Sequence, residues 1–114
     1  VVAVDCIFCK FATKEIPVNF VYESEKVFAI NDIAPQAPIH VLIIPKAHLE
    51  YVSLVGQKSP EVLSEMIAVA DQIAKERGLD GYRSVYNTGE SAGQSVFHAH
   101  LHLLGQRSFA WPPG

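Results

Sequence analysis

Only one stretch of this chain repeats its apolar residues at helical spacing, and that single change of period governs which folds are open to it. Between Ser59 and Arg77 the residues Leu63, Met66, Ile67, Ala70, Ile73 and Ala74 recur three or four positions apart, while Glu61, Glu65, Asp71 and Lys75 lie off that stripe. The spacing predicts one long helix. Ser59 is placed to cap it with a hydroxyl that accepts from a backbone N–H, Pro60 suits the first helical position, and Gly78 can take the left-handed conformation that stops it.

The remaining apolar residues come in short β-rich runs. Residues 18–23 and 26–31 flank the polar Glu23-Ser24-Glu25 and predict a hairpin. In residues 32–38, Pro35 and Pro38 each remove a ladder donor, which predicts a rigid loop. Residues 39–44 are apolar on both parities except at His40, as in a central strand covered on both faces, and Pro45 ends the run. A strand over 82–87, a glycine-containing loop over 88–94 and a final strand over 95–104 complete the chain, and Cys6 to Phe11 reads as a short helix or turn. These elements predict the α+β class: an antiparallel sheet of about five strands, one long helix and a short N-terminal helix, in one domain over 1–114.

Composition narrows the function. With 49% hydrophobic and 18% charged residues the chain can build a packed core, and a net charge of −3 with scattered Lys and Arg offers no stripe for a nucleic-acid polymer. No apolar stretch approaches the roughly 18 residues that span a bilayer, and residues 1–5 lack a basic segment followed by an apolar run. The expectation is a cytoplasmic protein with no membrane partner.

Three of the five histidines stand in strict alternation, as His98-Ala99-His100-Leu101-His102. On a strand, residues i, i+2 and i+4 share a face, so this row is expected to present three imidazoles to one surface. One use is a metal whose bound water attacks the substrate. The outer two Cα atoms would then be about 13 Å apart, at about 6.7 Å per same-face step, too far for one ion to use all three. No Asp or Glu follows Val96 to serve as a base beside such an ion. The other use makes His100 the nucleophile: a neutral imidazole presents one lone pair, and attack on phosphorus gives a P–N adduct that water can cleave. Gly89 and Gly93 in the preceding loop let backbone amides approach an anion, and Ser95 adds a hydroxyl donor.

The run from Gly93 to Leu104 resembles the signature of the histidine triad superfamily, and the segment from Asn31 to Lys46 is similar to that family as well. With the ending Trp111-Pro112-Pro113-Gly114, the chain most resembles the histidine triad nucleotide-binding proteins, which hydrolyse purine nucleoside phosphoramidates. The resemblance covers Cys6 to Gly114. It implies that His100 attacks the α-phosphorus to form a nucleotidyl-histidine, with His102 on the phosphate, His98 at the first triad position and His40 behind the nucleophile as a proton relay. It implies that Asn87 and Ser95 hold the phosphate and leaving group, that Gly93 and Gln94 belong to the substrate-binding set, and that Asp32 accepts from the ribose hydroxyls. An apolar clamp for the base falls on Ile7, Phe8, Phe11, Ile30 and Ile33. The branch is a homodimer whose C-terminal segment, including Trp111, reaches the neighbouring active site.

Cys6 and Cys9 form one Cys-x-x-Cys, which can be half a zinc site, a redox couple or two core thiols. If zinc is held, His48 and His98 are the candidates to complete four ligands, as in some members of the wider superfamily. Such an ion would be structural, and the chemistry itself requires no cofactor. Two other functions remain open in the sequence: a dinucleoside polyphosphate hydrolase or nucleotidyl transferase of the same fold, and a nucleotide-binding regulatory protein. The intact third histidine and the Trp-Pro-Pro-Gly ending favour the phosphoramidase.

Overall fold

A computed structural model describes residues 5–114. Residues 1–4, most of the stretch read above for a leader pattern, lie outside the described residues. The sheet has five antiparallel strands: β1 (Phe20–Glu23), β2 (Val27–Asn31), β3 (Ile39–Pro45), β4 (Tyr82–Val85) and β5 (Leu101–Gly105), in the order β1-β2-β3-β5-β4. Helix α1 (Ile7–Ala12) precedes it, and α2 (Val52–Lys58) and α3 (Pro60–Glu76) connect β3 to β4. The α+β class and the strand count agree with the sequence. Helix α2 does not: residues 52–58 carry too few apolar positions to show a period, and their helix rests on Val52 and Val55 packing into the core.

β3 shows why a run can be apolar on both parities. Ile39, Val41 and Ile43 face α3 and join Met66, Val69 and Ile73 in the larger core, while Leu42 and Ile44 face the other way and pack with Phe8 of α1, Phe28 and Ile30. His40 shares that second face. β5 repeats the division: Leu101 and Leu103 enter the larger core, and in the register Leu42 opposes His102 while His40 opposes Leu104. The second face of the sheet, partly covered by a six-residue helix, carries the polar groups.

Three expectations for these elements need correction. The Ser59 hydroxyl caps nothing; α2 runs directly into α3, and the Ser59 carbonyl instead accepts from Val62 N at 2.9 Å and Leu63 N at 3.3 Å. Ile67 belongs to the exposed side, and Val62 and Val69 complete the buried stripe in its place, because the helix axis is set by packing on the sheet. The strands predicted over 82–87 and 95–104 are shorter, at Tyr82–Val85 and Leu101–Gly105. His98 and His100 therefore precede β5, and only His102 is a strand residue. Gly78 does take the left-handed conformation, with φ 70°. Among the described residues no helix is long and apolar enough to cross a membrane.

Candidate functional site

The segment before β5 is held by backbone and side-chain bonds to residues 45–50 instead of by a ladder. Ala99 N donates to Leu49 O at 2.7 Å, and the His98 ring bonds Pro45 O through Nε2 at 2.7 Å. The buried Gln94 amide donates to Glu50 O at 2.8 Å and to Val96 O at 3.1 Å, and accepts from Gly89 N at 2.9 Å. These anchors turn the alternating histidines in different directions. The expected single face of three imidazoles is replaced by two neighbouring sites.

Each ring's tautomer follows from its backbone partner, because a carbonyl only accepts and an amide N–H only donates. His98 Nε2 faces Pro45 O and so carries the proton, which leaves Nδ1 as a lone pair. His100 Nδ1 donates to His98 O at 2.7 Å, leaving its Nε2 as a lone pair. His40 Nδ1 accepts from Gln36 N at 3.0 Å, so its proton is on Nε2, directed at His102 Nδ1 at 2.9 Å. His102 then carries its own proton on Nε2. Asp32 Oδ2 lies 3.4 Å from His40 Nε2, and its Oδ1 accepts from Ala34 N at 2.8 Å, which closes the turn into the proline loop.

Burial keeps these rings neutral. It pushes His102 down to about 4, helped by the neighbouring His100 and His40 and opposed by Asp32. His98 is likewise pushed down by burial to about 4, against the Pro45 hydrogen bond. Burial also lowers His100 and His40, with Asp32 opposing in both cases and the His98 carbonyl opposing at His100. A neutral His100 keeps the lone pair that a nucleophile needs.

His100 and His102 open on a cavity of about 330 Å³. Ile7, Phe8, Phe11, Ile30 and Ile33, where the resemblance put an apolar clamp, line it together with Asp32 and Ser95, Ile33 being fully exposed at the rim. Val18, Asn31, Leu42 and Val96 line it too and were missed. Leu42 could have been found, two residues beyond His40 on the same strand face. His40 stands behind the lining, against His102. Asn87, Gly93, Gln94 and Trp111 are not among the lining residues. The Asn87 amide lies beside Gly93, which with φ 99° ends the turn over Glu90–Ala92. Gln94 spends its amide on bracing the loop, and Trp111 is 83% exposed in the C-terminal tail.

The other site gathers Cys6, Cys9, His48 and His98, whose ligating atoms all lie within 4.8 Å of one another. His98 Nδ1 is 3.3 Å from Cys6 Sγ, 3.5 Å from Cys9 Sγ and 3.1 Å from His48 Nδ1, and Cys9 Sγ is 3.4 Å from His48 Nδ1. Tetrahedral zinc with bonds of about 2.0–2.3 Å has ligand edges of about 3.3–3.8 Å; three of these four separations fall in that range and the His48–His98 one is slightly shorter, so the set suits that ion. The Pro45 carbonyl on His98 Nε2 orients the ring as an outer partner of a metal ligand does. The Phe8 ring stands edge-on to both His98 and His100, at 5.8 and 5.1 Å between centroids, and separates the two sites.

Residues 13–109 match the family model described as the HIT domain. The chain belongs to the HIT family. It is 51% identical over 111 residues to the 14 kDa zinc-binding protein of Zea mays, covering 95% of this chain and 87% of the maize protein. It is 45% identical to an uncharacterized HIT-like protein of Synechococcus elongatus, covering 96% and 97% of the two chains. Among solved structures, a HIT family hydrolase from Legionella pneumophila superposes with TM-score 0.91 at 46% identity, covering 96% of this chain and all of the other. A HIT family hydrolase from Clostridium thermocellum superposes with TM-score 0.90 at 41% identity, covering 96% of each chain. The HIT core thus spans every residue of the two sites except those of α1 and Cys6, which precede the matched segment.

Proposed function

We propose that this HIT protein is a purine nucleotide-binding hydrolase that cleaves the P–N bond of nucleoside 5′-phosphoramidates through a covalent intermediate on His100. The observation that carries the reading is the His100 Nδ1 hydrogen bond to the His98 carbonyl, which leaves the Nε2 lone pair for the cavity. Two HIT family hydrolases of the same fold support the reaction class. In the first step Nε2 forms a bond to the α-phosphorus, the P–N bond to the amine breaks, and the departing nitrogen takes a proton from solvent. In the second, water attacks phosphorus, the bond to Nε2 breaks, and the water's proton returns to solvent, restoring neutral His100. His102 Nε2–H donates to a phosphate oxygen throughout, and the hydrogen bond from His40 holds it in that tautomer. Ser95 is a further donor at the cavity. Asp32 accepts from ribose hydroxyls through its remaining lone pairs, and the apolar wall from Ile7 to Ile33 takes the base.

Zinc on Cys6, Cys9, His48 and His98 belongs to the same reading, and the maize relative's name supports it. Bound there it supplies no chemistry to the reaction; it ties α1 to residues 45–50 and fixes the segment that carries His100. A homodimer is part of the reading as well, supported by the exposed edge strand β4 and the exposed Trp111 indole, as is a cytoplasmic location.

The test is mass spectrometry at short times after mixing with adenosine and guanosine phosphoramidates. A nucleotidyl adduct on His100 is expected, and His100→Ala should lower turnover by about 10⁴-fold or more. Undiminished turnover by His100→Ala overturns the mechanism. Faster cleavage of dinucleoside polyphosphates in a competitive assay would transfer the assignment to that substrate class.

A further inference from the structure

We propose that a second cavity beside the first receives the amine side of the substrate and selects amines that bear an additional positive charge. This inference rests on the phosphoramidase reading and names its leaving-group class. The second cavity has a volume of about 530 Å³, and Ile7, Ser95 and Val96 line both it and the nucleotide cavity. The two spaces therefore share a wall, and one substrate can span them. His100 and His102 line only the first; Asp5, Glu50 and Phe97 line only the second, as do Cys6 and His48 of the proposed zinc set.

The leaving group is assigned to that shared wall because Ser95 and Val96 line both spaces. In-line displacement places the departing nitrogen on the side of phosphorus opposite His100 Nε2, and Ser95 and Val96 are the residues that lead from the histidines into the neighbouring cavity. The first cavity, at about 330 Å³, is at the small end of ligand pockets and leaves little room beyond a nucleoside monophosphate. The amine's substituent has to lie elsewhere.

The chemistry of the second cavity suits a cation. Neither Asp5 nor Glu50 is in an ion pair with the described residues, whereas Glu23, Asp32 and Asp71 each are. No Lys or Arg lines the space. Phe97 lines the space with an aromatic ring, a group that attracts an alkylammonium, and stands T-shaped to Tyr51 at 6.3 Å between centroids. Glu50 O accepts from the Gln94 amide at 2.8 Å, and Asp5 directly precedes Cys6, whose thiol lies 3.3 Å from His98 Nδ1. Attraction between such groups and a bound ammonium is modest for each pair and screened by salt.

Two adenosine phosphoramidates test this, one made from putrescine, whose far end is an ammonium, and one from pentylamine, its neutral isostere. At low ionic strength kcat/KM for the putrescine compound should exceed that for the pentylamine compound by about three- to tenfold. The ratio should fall toward one in Asp5→Asn/Glu50→Gln and in high salt. Both residues are exposed, so the double variant folds, and its melting curve is the control. A ratio of one or below in the unaltered protein, or a ratio unchanged in the double variant, overturns the subsite while His100-dependent cleavage of the pentylamine compound upholds the phosphoramidase. No cleavage of either compound overturns both.

Discussion

Two clusters of ligating side chains flank His100, and by donor count each could hold a metal: Cys6, Cys9, His48 and His98 on one side, Asp32, His40 and His102 on the other. Their hydrogen bonds separate them. In the first cluster the Pro45 carbonyl takes the far proton of His98 and leaves the inner nitrogen a lone pair, which is what an ion requires. In the second, the Gln36 amide occupies Nδ1 of His40, so its only proton sits on the nitrogen that faces the cluster. A cation there would have to displace that proton or break the amide bond. The thiol set and the carboxylate set differ in their donors, and the imidazoles in each are given a lone pair or a proton toward their cluster by the backbone group that stands behind the ring.

The largest effect that would test this contrast is removal of the first cluster. Protein purified without added zinc should contain about one equivalent, and Cys9→Ser should lose it and lower the unfolding midpoint by roughly 10–20 °C, a loss of a few kcal/mol for a domain of this size. A metal content near zero at full activity and stability would break the contrast. Removal of the second cluster's relay should act on rate with the metal retained. His40→Leu is expected to lower kcat by about ten- to a hundredfold with zinc content unchanged, measured by steady-state kinetics and metal analysis on the same preparation. A loss of zinc there would show that the two clusters are not independent.

A smaller effect concerns acid. His102 is held near 4 in the fold against an ordinary value of 6.5, so it binds a proton in the unfolded chain before it does in the folded one. Its contribution is therefore complete above pH 6.5 and is lost as pH falls toward 4, and it stops changing below that. The unfolding midpoint of zinc-loaded protein should fall by a few degrees over this window, and His102→Asn should flatten the fall. The smallest expected signal is a second equivalent of zinc. Calorimetric titration of the loaded protein should show no further tight site, and tight binding abolished by His40→Leu would contradict the tautomer assigned to that ring.

Several features of the fold and site were legible in the residues themselves. The helix over α3 and the double-faced β3 follow from period, the hairpin of β1 and β2 follows from β-rich runs flanking a polar turn, and His40 stood out as the lone polar residue of β3. The Cys-x-x-Cys and zinc's need for four N or S donors offered Cys6, Cys9, His48 and His98 as one possible ligand set, and their atoms do converge. The alternation of His98, His100 and His102 pointed to a strand and misled at that point. Residues 95–100 are fastened by Gln94, Ala99 and the His98 ring to residues 45–50, contacts that span some fifty positions of sequence and outweigh a local preference for pleating. Nor does any local signal mark residues 52–58 as helical, because that helix exists by burying Val52 and Val55.

The sequence alone determined which side chains are present and in what order: three imidazoles, two thiols, a glycine loop and an apolar strand with one histidine in it. Only the tertiary structure decided which nitrogen of each ring is a lone pair, since that depends on the carbonyls of Pro45 and His98 and the amide of Gln36. Those groups occur in every peptide unit and leave no mark in the residue code. Their effect is positional: a backbone acceptor takes a proton and a backbone donor requires a lone pair. Chain folding distributes these two instructions among the rings, and with them the nitrogens that carry a lone pair and those that carry a proton.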